Sequence, residues 1–169
     1  RRGKAFKQIK KEFSRYFALL FEGGKADLLE VYGDEELDDE LEDDELEHTE
    51  KKKQRKKKIL TGIDITACPP GKKIKNIQAL SGGERTMTSI ALVCAILHTN
   101  PPPFVLLDEV EAALDEANTL RFTKILHELR APSQFLLITH NRATMHAADA
   151  LYGVTMGNNG VSTLLSVQI

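Results

Sequence analysis

Three short clusters hold the residues whose types and spacing could do chemistry. In Leu80-Ser81-Gly82-Gly83-Glu84 a serine and two glycines stand at what reads as a helix start. Unpaired backbone N–H groups and the helix dipole favour an anion there, and glycines let the backbone come close to it; the alternative is an ordinary cap. Asp108-Glu109 follows the apolar run Phe104-Val105-Leu106-Leu107, which puts two carboxylates at the carboxyl end of a strand, the edge where ligands of open α/β sheets bind. In nucleotide hydrolases the first such carboxylate holds Mg²⁺ and the second can accept a proton from the attacking water; the alternative is that the pair caps the next segment. His140 ends the next apolar run, Phe135-Leu136-Leu137-Ile138-Thr139, where it could reach a terminal phosphate or orient a water, or be a hydrogen-bonded structural histidine. Asp115 stands just beyond the carboxylate pair, after Ala113-Leu114.

These residues need an alternating order of helices and strands. Ser81 predicts the N-cap of a helix running through Ile90, Leu92, Val93, Ile96 and Leu97, apolar nearly all round and so deeply packed. Phe104–Leu107 and Phe135–Ile138 are predicted as fully buried parallel strands. Between them a helix starting at Asp115 or Glu116 carries Leu120, Ile125, Leu126 and Leu129, and Pro132 follows its end. Asn141 caps a short helix through Met145 and Ala148, and a hairpin closes the order: Leu151–Met156, a Gly157-Asn158-Asn159-Gly160 turn, then Val161–Val167. The fold class is α/β, a lobe with adjacent parallel strands, flanking helices and a terminal β-hairpin.

Upstream, Phe6, Ile9, Phe13, Tyr16, Phe17 and Leu20 recur at spacings of three and four, which marks a helix stopped by Gly23-Gly24. Its outer face is basic, open to solvent or to phosphates. Ala26–Tyr32 and Ile59–Ala67 read as paired strands. Between them, residues 34–50 carry 12 acidic residues and no basic one, and residues 51–58 carry 7 basic residues and no acidic one. So polar a stretch cannot bury enough apolar surface to fold alone, so 34–58 is expected to be a disordered insertion. The alternative is a basic DNA-binding run, Lys51–Lys58, for which the acidic block competes.

The whole chain has 169 residues, one domain's worth, with 23 basic and 25 acidic residues. Without both charged blocks 16 basic residues face 13 acidic ones, a charge of +3, so near-neutrality does not exclude a nucleic-acid partner. Cys68 and Cys94 form no CxxC pair, which argues against a disulfide framework or a zinc site. The longest strongly apolar run, Ile90–Leu97, has 8 residues, against the roughly 20 that a bilayer span needs. An intracellular protein without a membrane partner is expected, and Arg1 as first residue suggests a fragment.

The order LSGGE, FVLLDE, ALDE and ITHN resembles the signature, Walker B, D-loop and switch-histidine motifs of ABC-type ATPases. Within that superfamily, DEVEAALDEANTLRF, QFLLITHNRATMHAADALYGVTM and GIDITACPPGKK resemble the C-terminal head half of bacterial or archaeal SMC (structural maintenance of chromosomes) proteins, over nearly the whole chain from Phe13 to Ile169 except 34–58. A zinc-hook DNA-repair ATPase shares the first two motifs and is the nearest alternative; a non-catalytic kleisin- or DNA-binding module is another. The resemblance implies ATP and Mg²⁺ as cofactors, with Asp108 on the metal, Glu109 and His140 catalytic, and Leu80, Ser81, Gly82, Gly83 and Asp115 at nucleotide held across a head–head interface. No GxxxxGK[ST] loop occurs in the sequence, so the phosphate-cradling loop would come from an N-terminal head half. Residues 1–20 would then be the end of a coiled coil and 21–169 the head half. The implied partners are that N-terminal half, a second head, expected as a homodimer, a kleisin subunit and DNA. The implied location is the nucleoid-associated cytoplasm, and Tyr152 and Leu165 are candidate kleisin anchors.

Overall fold

A computed structural model of the chain describes residues 2–35, 57–73 and 76–168. Helix α1 (Arg2–Phe21) places Phe13, Tyr16, Phe17 and Leu20 on one face, as their spacing requires, and all four are fully buried. They meet α2 (Gly82–Thr99) and α3 (Glu116–Leu129), whose Ile90, Ala91, Cys94, Ala95, Phe122, Ile125 and Leu129 complete one core. Polar contacts fix α1 at its edges. The Tyr16 hydroxyl lies 2.9 Å from His98 Nδ1 near the end of α2, and Arg15 reaches Glu128 on α3 at 2.6 Å. Burial pushes the Tyr16 phenol up to about 12, so it stays an uncharged bridge.

Gly23 and Gly24 end α1 as predicted, at φ of 129° and 80°. A Cβ on Gly24 would stand 2.6 Å from the Cys68 carbonyl oxygen, so this turn needs glycine both for its dihedral and for its closeness to the Cys68 backbone. The chain then enters β1 (Lys25–Glu35), antiparallel to β2 (Lys57–Cys68). The pairing is longer than expected. Asp34 stands opposite Lys58 and Glu35 opposite Lys57, so both ends of the charged segment 34–58 belong to the ladder. The rest of that expected disordered stretch, 36–56, lies outside the described residues.

Strands β3 (Phe104–Asp108) and β4 (Gln134–Ile138) are parallel neighbours with Asp108 beside Ile138. They are not fully buried. Val105, Leu107, Phe135 and Leu137 turn to the helices, whereas Phe104, Leu106, Leu136 and Ile138 are exposed. Strand alternation sends every second side chain to the far face, and that face has no cover among the described residues. For the same reason α2 is not packed all round: Val93 and Ile96 are exposed, as is Leu120 on α3. A short helix, α4 (Arg142–His146), capped by Asn141, stops before Ala148. The hairpin of β5 (Ala150–Met156) and β6 (Ser162–Gln168) forms its own two-stranded sheet, and each of the three strand pairs stands apart from the others. Tyr152 and Leu165 on the hairpin are 65% and 58% exposed, so neither is core.

Candidate functional site

Asp108 is the last residue of β3, and the chain turns sharply after it. Glu109 adopts the left-handed conformation at φ 46°, ψ 34°, a geometry that costs a non-glycine residue on the order of 1 kcal/mol or more and is held only where its surroundings require it. Here the Glu109 N–H donates to the Ile138 carbonyl at 2.9 Å, and the Glu109 carbonyl accepts from Ala112 N–H at 3.1 Å. The turn carries the Glu109 carboxylate to the end of the neighbouring strand, where Oε1 lies 3.4 Å from His140 Nδ1. The two residues expected to share chemistry thus do meet. Both side chains are more than half exposed, so the pair adds little stability and both remain open to a ligand.

Two residues that the sequence reading passed over hold this arrangement. Glu111, in the 3-10 turn Val110–Ala113, is buried at 5% exposure and accepts a hydrogen bond from the Thr139 hydroxyl. That same hydroxyl accepts from Asn141 N–H at 2.9 Å, fixing the turn that presents His140. The available signal was an acidic residue set between Val110 and Ala112-Ala113, where a solvated side chain is not expected.

At the signature turn, Leu80 is buried and anchors the chain while Ser81 caps α2. The capping box is complete: Ser81 Oγ accepts from Glu84 N–H at 3.3 Å, and Glu84 Oε2 accepts from Ser81 N–H at 3.0 Å. The other oxygen of Glu84 accepts from Lys72 Nζ at 2.6 Å. Lys72, and next the Ser81 backbone, hold the Glu84 carboxyl below the usual carboxylate range by stabilising its charged form. Lys72 was likewise not foreseen, although its setting is distinctive. It follows Pro69-Pro70-Gly71, with Gly71 at φ 74°, its N–H donates to the Pro69 carbonyl at 3.2 Å, and its carbonyl accepts from the Cys68 thiol at 2.9 Å. With Ser81 and Glu84 N–H groups spent on each other's side chains, the Gly82 and Gly83 N–H groups and the Ser81 hydroxyl proton are the donors left at this helix start. A Cβ on Gly82 would meet nothing within 4 Å, and one on Gly83 would lie 3.8 Å from the Ala113 carbonyl. The signature turn therefore faces open space while lying beside the turn that follows Glu109. Asp115 caps α3, its Oδ1 accepting from Asn118 N–H at 2.7 Å.

A sequence profile described as RecF/RecN/SMC N terminal domain matches residues 8–163. The chain belongs to the SMC family. It is 43% identical over 165 residues to the chromosome partition protein Smc of Clostridium kluyveri and 44% identical over 164 residues to that of Bacillus subtilis. In both cases 97% of this chain is matched, against only 12% of the relative's length. Among solved SMC structures, a head bound to the C-winged helix domain of ScpA gives a TM-score of 0.75 at 35% identity, covering 97% of this chain and 43% of that one. The SMC head domain from Thermotoga maritima gives 0.65 at 32%, covering 98% and 49%. A chain solved in work on ATP-driven dimerisation and DNA-stimulated activation of SMC ATPases gives 0.73 at 34%, covering 98% and 86%. The α/β architecture is thus that of SMC ATPase heads.

SMC heads as a family are ATPases, and the donor set of this chain fits that chemistry. Among the described residues no three His, Cys, Asp or Glu side chains cluster as a metal cage. Mg²⁺ asks for less: one or two carboxylates, with phosphate oxygens and waters completing its shell. Asp108, an exposed carboxylate at the strand end, has no ion-pair partner among the described residues and meets that requirement. The cysteines are free, and burial pushes the Cys94 thiol up to about 12, far from a reactive thiolate.

Proposed function

We propose that this chain is the C-terminal half of an SMC ATPase head, which binds and hydrolyses ATP between two engaged heads and so drives chromosome condensation and segregation. The observation that carries this reading is the Glu109–His140 pair at 3.4 Å, standing directly beyond Asp108 at the carboxyl end of parallel strands. The matching profile is named for an N terminal domain; the C-terminal assignment rests instead on motif content. The sequence contains signature, Walker B, D-loop and switch-histidine motifs but no GxxxxGK[ST] loop. Two further facts support a half head: the match to 49% of the Thermotoga maritima head, and the uncovered apolar face of Phe104, Leu106, Leu136 and Ile138, an expanse that a soluble domain covers with a partner. The helix α1 is then the end of a coiled coil entering the head.

Bound Mg-ATP supplies the phosphoanhydride that is cleaved. Asp108 would hold Mg²⁺, Glu109 would take the proton of the attacking water, and His140 would contact the γ-phosphate beside it. Ser81, Gly82 and Gly83 offer their free donors outward, to the nucleotide of the opposite head, and Asp115 aligns the interface. Hydrolysis is thereby a property of two heads, expected as a homodimer in the nucleoid-associated cytoplasm. The relatives named above favour this reading over a zinc-hook repair ATPase, and a purely scaffolding module gives no reason for Glu109 to hold a strained conformation aimed at His140. Mixing this chain with the polypeptide carrying the phosphate loop should give ATPase activity that neither shows alone; a mixture as inactive as its parts, though folded, would refute the assignment.

A kleisin partner and DNA complete the proposal. One similar head is bound by a winged helix of ScpA, and the exposed apolar side chains of the terminal hairpin, Tyr152 and Leu165 among them, suit such a contact. Replacing Tyr152→Asp and Leu165→Lys separately should leave the melting temperature within a few degrees, as exposed positions do, and weaken kleisin binding by about tenfold or more in calorimetry. Folded variants that both bind at wild-type affinity would place the contact elsewhere.

A further inference from the structure

Glu111 is a buried carboxylate to which the chemistry above gives no task. It lies two residues beyond Glu109 at 5% exposure, and burying such a group costs several kcal/mol unless a hydrogen bond compensates. Its partner among the described residues is the Thr139 hydroxyl. Thr139 directly precedes His140, and its oxygen also accepts from Asn141 N–H at 2.9 Å. One hydroxyl therefore joins a buried anchor on the β3 side to the backbone of the turn that carries His140. A second tie runs between the same two strand ends, from Glu109 N–H to the Ile138 carbonyl at 2.9 Å. The backbone of Glu111 also takes part, its carbonyl accepting from Leu114 N–H at 2.8 Å just before Asp115. The Glu109–His140 pair is itself too exposed to hold its own geometry; rigid geometry at an exposed pair has to come from buried contacts behind it.

We infer that Glu111 is a positioning residue: through the Thr139 hydroxyl it fixes the His140 turn at the distance from Glu109 at which His140 meets the γ-phosphate while Glu109 takes the proton of the water that attacks it. This rests on the catalytic reading above. Thr139→Val keeps the side-chain shape and removes the hydroxyl, leaving the Glu111 carboxylate and the Asn141 N–H without that partner. Thr139→Ser keeps the hydroxyl.

The test uses the full-length protein and ATP with Mg²⁺. Thr139→Val is expected to lower kcat by about tenfold or more while ATP affinity stays within about threefold, and Thr139→Ser to recover kcat to within about threefold of wild type. ATP-dependent dimerisation, followed by light scattering, should persist in Thr139→Val. Because Thr139 acts through His140, Thr139→Val on a His140→Ala background should cost less than about threefold more, a non-additivity that general loss of packing does not produce. Wild-type turnover in Thr139→Val, equal losses for Ser and Val, or a full extra loss on the His140→Ala background would each overturn the inference. If the valine variant does not fold, Thr139→Ala carries the same comparison with serine. Glu109→Gln, measured alongside, separates the two failures: turnover surviving that change sinks the catalytic reading itself, whereas turnover lost there and kept in Thr139→Val sinks only the positioning role.

Discussion

Glu109→Gln in the full-length protein is expected to keep ATP binding and to lower turnover by about 10²–10⁴-fold, the usual contribution of a general base. The substitution is close to isosteric, so the turn at φ 46° and the Glu109 N–H bond to Ile138 survive. What is lost is the carboxylate's ability to take a proton from water. The contact with His140 is altered as well, but both side chains are more than half exposed, so little stability rests on it and the melting temperature should hardly move. Binding without hydrolysis then leaves heads engaged. Light scattering with ATP should find dimers accumulating, and filter binding should find nucleotide retained in them. Turnover within about tenfold of wild type would remove Glu109 from the role of general base.

The parts of this site that were legible in the sequence are those whose chemistry is written into neighbouring residues. Ser81 and Glu84 stand three apart, the spacing of a capping box, and the box is formed. An apolar run ending in Asp108-Glu109 and another ending in Thr139-His140 give two parallel strands with their last residues side by side. What remained hidden depends on distance along the chain. Lys72 and Glu84 are 12 positions apart and Glu111 and Thr139 are 28 apart, and no periodicity encodes such a pairing. Burial failed for a different reason. Apolar residues at Leu106, Leu136, Val93 and Ile96 announce that something covers them, but a pattern does not say whether the cover belongs to the same chain. In the described residues it does not. The charged segment misled at its ends, because composition averages over 34–58 whereas the ladder continues residue by residue, out to Glu35 on β1 and from Lys57 on β2.

Ser81→Arg separates the two kinds of nucleotide contact. Among the described residues Ser81 makes no hydrogen bond to Asp108, Glu109 or His140; its side chain is tied to Glu84 and, through it, to Lys72. On the proposed reading, binding of ATP to one head would draw on Asp108 and on a phosphate loop outside this sequence, and should therefore be unchanged within about threefold. The cap is lost, at a cost of about 1 kcal/mol, which for a domain of this size lowers the melting temperature by roughly 2–4 °C. Engagement should fail far more severely. The arginine side chain would project into the open space in front of Gly82, where the proposed function puts the opposite head's nucleotide, and it would block the Gly82 and Gly83 donors while adding steric bulk. ATP-dependent dimerisation should weaken by about a hundredfold or more, and if hydrolysis needs both heads, as proposed, it should fall with it. Ser81→Ala gives the comparison: it loses the same cap and the hydroxyl donor without the bulk, so it should share the melting shift and weaken dimerisation far less than the arginine does, because the Gly82 and Gly83 donors stay open. An arginine variant that dimerises with ATP at wild-type affinity would show that this turn does not receive the opposite head's nucleotide.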